Sequence, residues 1–195
     1  TVLRDERISR SAYAKAVEYI KGKAPSVIAF APESYAIDAD DHWFSLQTNM
    51  LSDEGIRMDL SDGNAVEKAL GEWPCKILIK DSSPERTAKN KEALIPLIGD
   101  DATIVSSGSR NIEILPPGTD KGKALRVISE KLSIPLSKII AFGDWDNDAG
   151  MLSTAGIGCA MANGSEKAKK AASFITRSNN EDGIAYALDK FLFNP

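Results

Sequence analysis

The sequence predicts an α/β chain: an α+β layer followed by part of a doubly wound parallel sheet. Three observations lead there. The apolar residues change period repeatedly along the chain, as they do when strands and helices alternate. From Asn111 onward, short apolar strands are separated by helices of the length that a βαβ unit needs, which requires parallel pairing and a right-handed crossover. The breaker cluster Pro116-Pro117-Gly118 stands where the looser pattern gives way to the regular one. We therefore divide the chain into residues 1–113 and 114–195, with residues 1–8 as a connection leading into the first part.

In the first part, Ser11 to Lys21 reads as a helix with Ala12, Ala16, Val17 and Ile20 on one face, and Ser26 to Phe30 with Ser34 to Ala39 reads as a strand pair. Asp40 to Ser61 carries no clear period. Asn64 to Trp73 is helical, Cys75 to Lys80 a strand, Pro84 to Ile98 a helix opened by Ser82 or Ser83, and Thr103 to Ser106 a strand. In the second part, Ile112 to Leu115 is extended, Lys121 to Leu132 helical, Lys138 to Phe142 a buried strand and Asn147 to Thr154 helical. Strands at Gly158 to Met161 and Phe174 to Thr176 then alternate with helices at Glu166 to Ala172 and Asp182 to Phe191.

With 195 residues, 43% hydrophobic and 27% charged, the chain has apolar material for one ordinary domain or two small ones. Its 24 basic and 28 acidic residues give a net charge of −4, so nothing draws it electrostatically to nucleic acid or an anionic membrane. The longest apolar runs, Ile139 to Gly143 and Ser26 to Ala31, are too short to span a bilayer, and Thr1-Val2-Leu3-Arg4-Asp5 lacks a signal-peptide core. A cytoplasmic location is the expectation. Cys75 and Cys159 lie far apart and His42 is the single histidine, which argues against a zinc site and against a disulfide framework.

The stretch Ile139-Ile140-Ala141-Phe142-Gly143-Asp144-Trp145-Asp146-Asn147-Asp148 carries the chemistry. A buried strand ends in glycine and releases three carboxylates and an amide, at the end of a parallel strand where α/β sheets bind ligands. Clustered carboxylates repel unless a cation or basic group sits among them, and a hard divalent ion such as Mg²⁺ suits oxygen ligands at this density. The plainer alternative is that Asp146 or Asn147 caps the following helix while the other acids face water. An EF-hand-like calcium loop fails on Ala149 where glycine is needed and on Ala155 where the bidentate glutamate belongs. Lys121 follows Gly118-Thr119-Asp120 at a helix start, where its ammonium and the helix N-terminus face an anion or simply face solvent.

The segments Gly118 to Leu125, Phe142 to Asp148, Met151-Leu152 and Glu181 to Ala185 together resemble the haloacid-dehalogenase-like (HAD) superfamily, in its Cof-type sugar-phosphatase branch. Ala160-Met161-Ala162-Asn163-Gly164 is similar to that branch's Ala-Met-x-Asn-Ala and departs from it at Gly164. The resemblance implies a Rossmann-like core preceded by an α+β cap that selects the substrate, and Mg²⁺-dependent hydrolysis of a small phosphomonoester, with sugar phosphates the usual class. Carried over by position, Asp144 ligates Mg²⁺ and Lys121 neutralises the phosphoryl group and the attacking carboxylate. Asn147 hydrogen-bonds the phosphate, Asp148 orients Lys121 or a metal-bound water, and Asn163 braces the metal loop.

The family's nucleophile lies in an Asp-x-Asp-Gly-Thr strand, which this sequence does not contain. The nearest string, Ile37-Asp38-Ala39-Asp40-Asp41, reads as a surface turn. The expectation is a fragment that lacks the nucleophile, inactive alone, with an open sheet edge beside Ile139 to Phe142 that self-associates or pairs with the absent core segment. A non-catalytic binding or regulatory remnant, a phosphomutase, and an enzyme with a different nucleophile are the alternatives. Trp43-Phe44 and Trp73 read as core packing rather than sugar-stacking platforms, and His42, Arg57 and Arg110 as surface residues.

Overall fold

The computed structural model describes residues 5–40, 42, 44–45 and 55–193. It forms two compact units, Thr1–Gly118 and Thr119–Pro195. The division falls after Gly118 rather than at 113/114, because Ile114 and Leu115 still pair with Ile77, Ile104 and Thr103 in the first unit's sheet. Residues 5–8 also belong to that unit: Ile8 is buried and its N–H donates to the Pro74 carbonyl.

The first unit opens with helix α1 (Arg10–Ile20), capped by Ser9, whose hydroxyl accepts from the Ala12 N–H at 3.0 Å. Strands β1 (Ser26–Phe30), β2 (Tyr35–Ala39) and β3 (Ile56–Arg57) follow, then helix α2 (Gly63–Leu70), strand β4 (Lys76–Lys80), helix α3 (Pro84–Ile98) and strands β5 (Thr103–Gly108) and β6 (Asn111–Leu115). The strands form a six-stranded sheet in the order β3-β2-β1-β4-β6-β5, with every pairing antiparallel except β2 with β3. Alternation sends Val27, Ala29, Ala36, Ile77, Ile79, Ile112 and Ile114 to one face, where they pack with residues of α1, α2 and α3. Fully burying a valine or isoleucine side chain contributes about 1.5–3 kcal/mol, so this layer contributes strongly to holding the first unit together. Ile28, Tyr35 and Ile37 form a smaller cluster on the opposite face with Phe30, Ala39, Phe44 and Leu78.

Several sequence expectations shift here. Helix α2 stops at Leu70 instead of Trp73 because Gly71 turns left-handed at φ +78°. Trp73 instead lies 4.9 Å from the Tyr13 ring and donates to the Ile8 carbonyl at 2.6 Å, which is core packing. Asp38 sits within β2, half-buried, rather than in a turn, whereas Asp40 follows the strand and is exposed. Phe44 packs on the smaller cluster beneath Arg57; Trp43 lies outside the described residues.

The second unit runs from helix α4 (Lys121–Leu132) through strand β7 (Ile140–Gly143), helix α5 (Ala149–Thr154), strand β8 (Ile157–Ala160), helix α6 (Glu166–Ala171) and strand β9 (Phe174–Ile175) to helix α7 (Gly183–Leu188). Its sheet, β7-β8-β9, is wholly parallel. Two boundaries move because tight turns intervene: Leu136–Lys138 and Asp146–Asp148 are 3₁₀ turns, so β7 and α5 begin later than their apolar residues suggest. The final helix widens into a π turn over Asp189–Phe193. Among the described residues no strand pairs with the outer edge of β7, and no helix is long and apolar enough to cross a membrane. Parallel pairing aims the carboxyl ends of β7, β8 and β9 the same way, so the loops after Gly143, Ala160 and Ile175 gather at one end of the sheet.

Candidate functional site

Asp148 organises the loop after β7. Its side chain is 7% exposed, and each carboxylate oxygen is engaged. Oδ1 accepts from Lys121 Nζ at 2.5 Å, and Oδ2 accepts from the backbone N–H groups of Asp144 and Trp145 at 2.9 and 3.0 Å. Burial alone pushes this carboxyl up, but the Lys121 ammonium and the two N–H groups outweigh it, and the pKa lies below the ordinary carboxylate value. The approach requires glycine at 143, where a Cβ would stand 2.4 Å from that of Asp148.

Lys121 is brought to Asp148 by helix α4, whose cap Asp120 accepts from the Lys123 N–H at 3.0 Å. The lysine side chain stays half-exposed, so its charge is held at one end by Asp148 and remains open to a ligand. Asp144 takes a different partner: its Oδ2 accepts from Asn179 Nδ2 at 2.9 Å. The Asn179 N–H in turn donates to Asn163 Oδ1 at 2.9 Å, and the Asp144 carbonyl accepts from the Ser165 N–H at 2.8 Å. The loops after all three parallel strands thus converge on Asp144. Lys121, Asp144, Asp148 and Asn163 fall into one network; Asn147 lies on the turn between Asp144 and Asp148, half-buried and without a side-chain hydrogen bond among the described residues.

Sequence reasoning missed Asn179. The usable signal was positional, since Asn179 follows the third parallel strand as Asp144 follows the first. Neither Asp146 nor Asn147 caps α5, which begins at Ala149 after the N-cap residue Asp148 and has no side-chain cap, so the plain capping alternative does not hold. The calcium-loop geometry is absent as well, because both oxygens of Asp148 are committed to Lys121 and the backbone. Among the described residues no three His, Cys, Asp or Glu side chains group closely enough to hold a metal ion by themselves. The donor set fits part of a hard-cation site, with Asp144 as the carboxylate oriented by Asn179.

The sequence pattern of haloacid dehalogenase-like hydrolases matches residues 1–188. The chain belongs to that family. As a member of the haloacid dehalogenase-like family, it is 41% identical over 87 residues to a 5-amino-6-(5-phospho-D-ribitylamino)uracil phosphatase of Bacillus subtilis, a match covering 45% of this chain and 30% of the relative. It is also 41% identical over 95 residues to the chloroplastic endoribonuclease YBEY of Arabidopsis thaliana, covering 49% of this chain and 16% of that protein. These matches span less than half of the curated relatives. The fold of a HAD subclass IIB sugar phosphatase superposes with a TM-score of 0.79 at 20% identity, over 97% of this chain and 69% of the other. A Thermotoga maritima structure superposes at 0.67 with 29% identity, over 96% and 68%.

Proposed function

We propose that this haloacid dehalogenase-like chain forms the cap and the C-terminal part of the core of a Mg²⁺-dependent phosphomonoester hydrolase. Its substrate is a small phosphorylated metabolite, with sugar phosphates the leading class. The carrying observation is the Lys121–Asp148 pair at 2.5 Å, set beside the Asp144 loop at the carboxyl end of a parallel strand. Relatives that carry phosphatase names support the same reading.

In this proposal the Lys121 ammonium hydrogen-bonds the equatorial phosphoryl oxygens and stabilises the negative charge on them while the bond to the attacking oxygen forms and the bond to the leaving oxygen breaks. Asp148 fixes that ammonium in place, and pins the backbone of Asp144 and Trp145 with the same carboxylate. The Asn147 amide donates to the phosphate and sets its orientation for in-line attack. Asp144, steadied by Asn179 and through it by Asn163, would hold Mg²⁺. Bound Mg²⁺ supplies Lewis-acid stabilisation of phosphoryl charge. The attacking aspartate is not among these residues; Asp38 and Asp40 belong to the first unit's sheet region, and that unit acts as the substrate-selecting cap. A cytoplasmic enzyme is part of the same reading.

The test is phosphate release from a panel of phosphomonoesters by the protein expressed from its complete reading frame. Asp144→Asn is expected to lower Mg²⁺-dependent turnover by about 10²–10³ or more. Undiminished turnover in that variant overturns the assignment.

A further inference from the structure

The turn after β9 is closed by its own hydrogen bonds. The Ser178 carbonyl accepts from the N–H groups of Glu181 and Gly183 at 3.1 and 3.3 Å, and the Glu181 carboxylate accepts from the Ser178 N–H at 3.3 Å and from its hydroxyl. The buried Thr176 hydroxyl donates to the Gly183 carbonyl at 2.6 Å. A Cβ at position 183 would stand 2.2 Å from the Arg177 carbonyl oxygen, so only glycine lets the chain return this closely. Asn179 sits in this turn and is anchored through its backbone, whose N–H donates to Asn163 Oδ1 at 2.9 Å. Its side chain is thereby presented to Asp144.

The two carboxylate oxygens of Asp144 differ. Oδ2 accepts from Asn179 Nδ2 at 2.9 Å, whereas Oδ1 accepts no hydrogen bond and makes no ion pair among the described residues. A carboxylate can only accept, so the amide turns its nitrogen toward it. A cation seated on both oxygens would share Oδ2 with the amide hydrogen, whose partial positive charge repels it; a cation on Oδ1 alone would not. Mg²⁺ takes oxygens at about 2.0–2.1 Å in near-octahedral geometry, whereas Ca²⁺ takes about six to eight oxygens at about 2.3–2.6 Å, often both from one carboxylate. Selection between these ions therefore depends on ligand number and flexibility, and Asp144 offers one oxygen from a held side chain.

We propose that Asn179 is a positioning residue that sets the choice of cation at Asp144: by occupying Oδ2 it leaves Oδ1 alone for coordination, and so favours Mg²⁺ over Ca²⁺. The inference rests on the reading of Asp144 as a cation ligand and adds the residue that discriminates between ions. Without the Asn179 amide, Asp144 can turn both oxygens to one ion, which helps Ca²⁺ and costs Mg²⁺ its preset ligand. The bond to Asn163 comes from the Asn179 backbone, so a changed side chain leaves the turn anchored.

The test is cation binding, read without turnover, in the protein from its complete reading frame. Wild type, Asn179→Ala and Asp144→Asn are titrated with MgCl₂ and, separately, CaCl₂, following the Asp144 and Trp145 amides by ¹⁵N–¹H NMR. In Asn179→Ala, Mg²⁺ binding is expected to weaken about tenfold or more, the loss typical when a metal ligand's orienting partner is removed. Ca²⁺ binding should hold or tighten, so the ratio of the Ca²⁺ to the Mg²⁺ dissociation constant falls about tenfold or more. Asn179→Ser repeats the comparison if the alanine variant perturbs the fold. An equal loss for both ions, or an unchanged ratio, in a folded Asn179 variant overturns this inference while leaving Asp144 as the ligand. Undiminished Mg²⁺ binding in Asp144→Asn overturns the ligand reading itself, and the inference with it.

Discussion

Asp148 is the residue on which the site's geometry depends, because its carboxylate joins the start of α4 to the backbone after β7. Its pKa lies below the ordinary carboxylate value of 3.8. Such a group contributes its full stability above the unfolded value and loses it as pH falls through the lower folded value. Asp148→Asn is therefore expected to cost about 2 kcal/mol near neutrality, since a buried acceptor loses a charged donor. In urea denaturation, that gap should stay constant from about pH 8 to about pH 5 and shrink below about pH 4. A gap that widens in acid would contradict the assignment. At this scale much was legible from sequence, because a glycine-terminated apolar strand followed by Asp144, Asp146, Asn147 and Asp148 concentrates chemistry in a few consecutive residues. Asn179 was not legible: it lies 35 residues from Asp144, and only the parallel sheet brings the two together.

At the scale of elements, the sequence read best where a cap or breaker marks an end. Ser9, Ser83 and Asp120 each accept from a first-turn N–H, and the helices they open begin within a residue of their expected starts. Elements of two or three residues, such as β3 and the Asp146–Asp148 turn, are too short to leave a period. The junction of β7 with its loop gives an element-level prediction. A methyl group at position 143 would meet the Cβ, Cγ and Oδ2 of Asp148 at 2.4, 2.8 and 3.0 Å. Asp148 is held by Lys121 and two backbone N–H groups, so it has no route to swing aside. Gly143→Ala is expected to destabilise the protein by about 1–3 kcal/mol, read as a lower Tm. An unchanged Tm would mean that the loop relaxes freely and that Asp148 does not pin it.

For the molecule as a whole, the two units differ in how they are held. Among the described residues the first packs α1, α2 and α3 on a six-stranded sheet around a broad apolar core, whereas the second centres on Leu152, Ala160 and Ala168 and leaves Ile128, Leu132 and Ile134 exposed. The division into two units was legible because Pro116-Pro117-Gly118 interrupts the pattern; its place was not, because β6 continues past Glu113 in register with β4 and β5. The family was legible from short motifs spread across the second unit, and the family match over residues 1–188 extends it through the first. The central claim is that Lys121, held by Asp148, carries phosphoryl charge. Its most direct test is the kcat of Lys121→Ala against wild type, on a hydrolysed phosphomonoester with Mg²⁺ present, in the protein from its complete reading frame. A fall of about 10²-fold or more in kcat is expected; a kcat equal to wild type would contradict the claim.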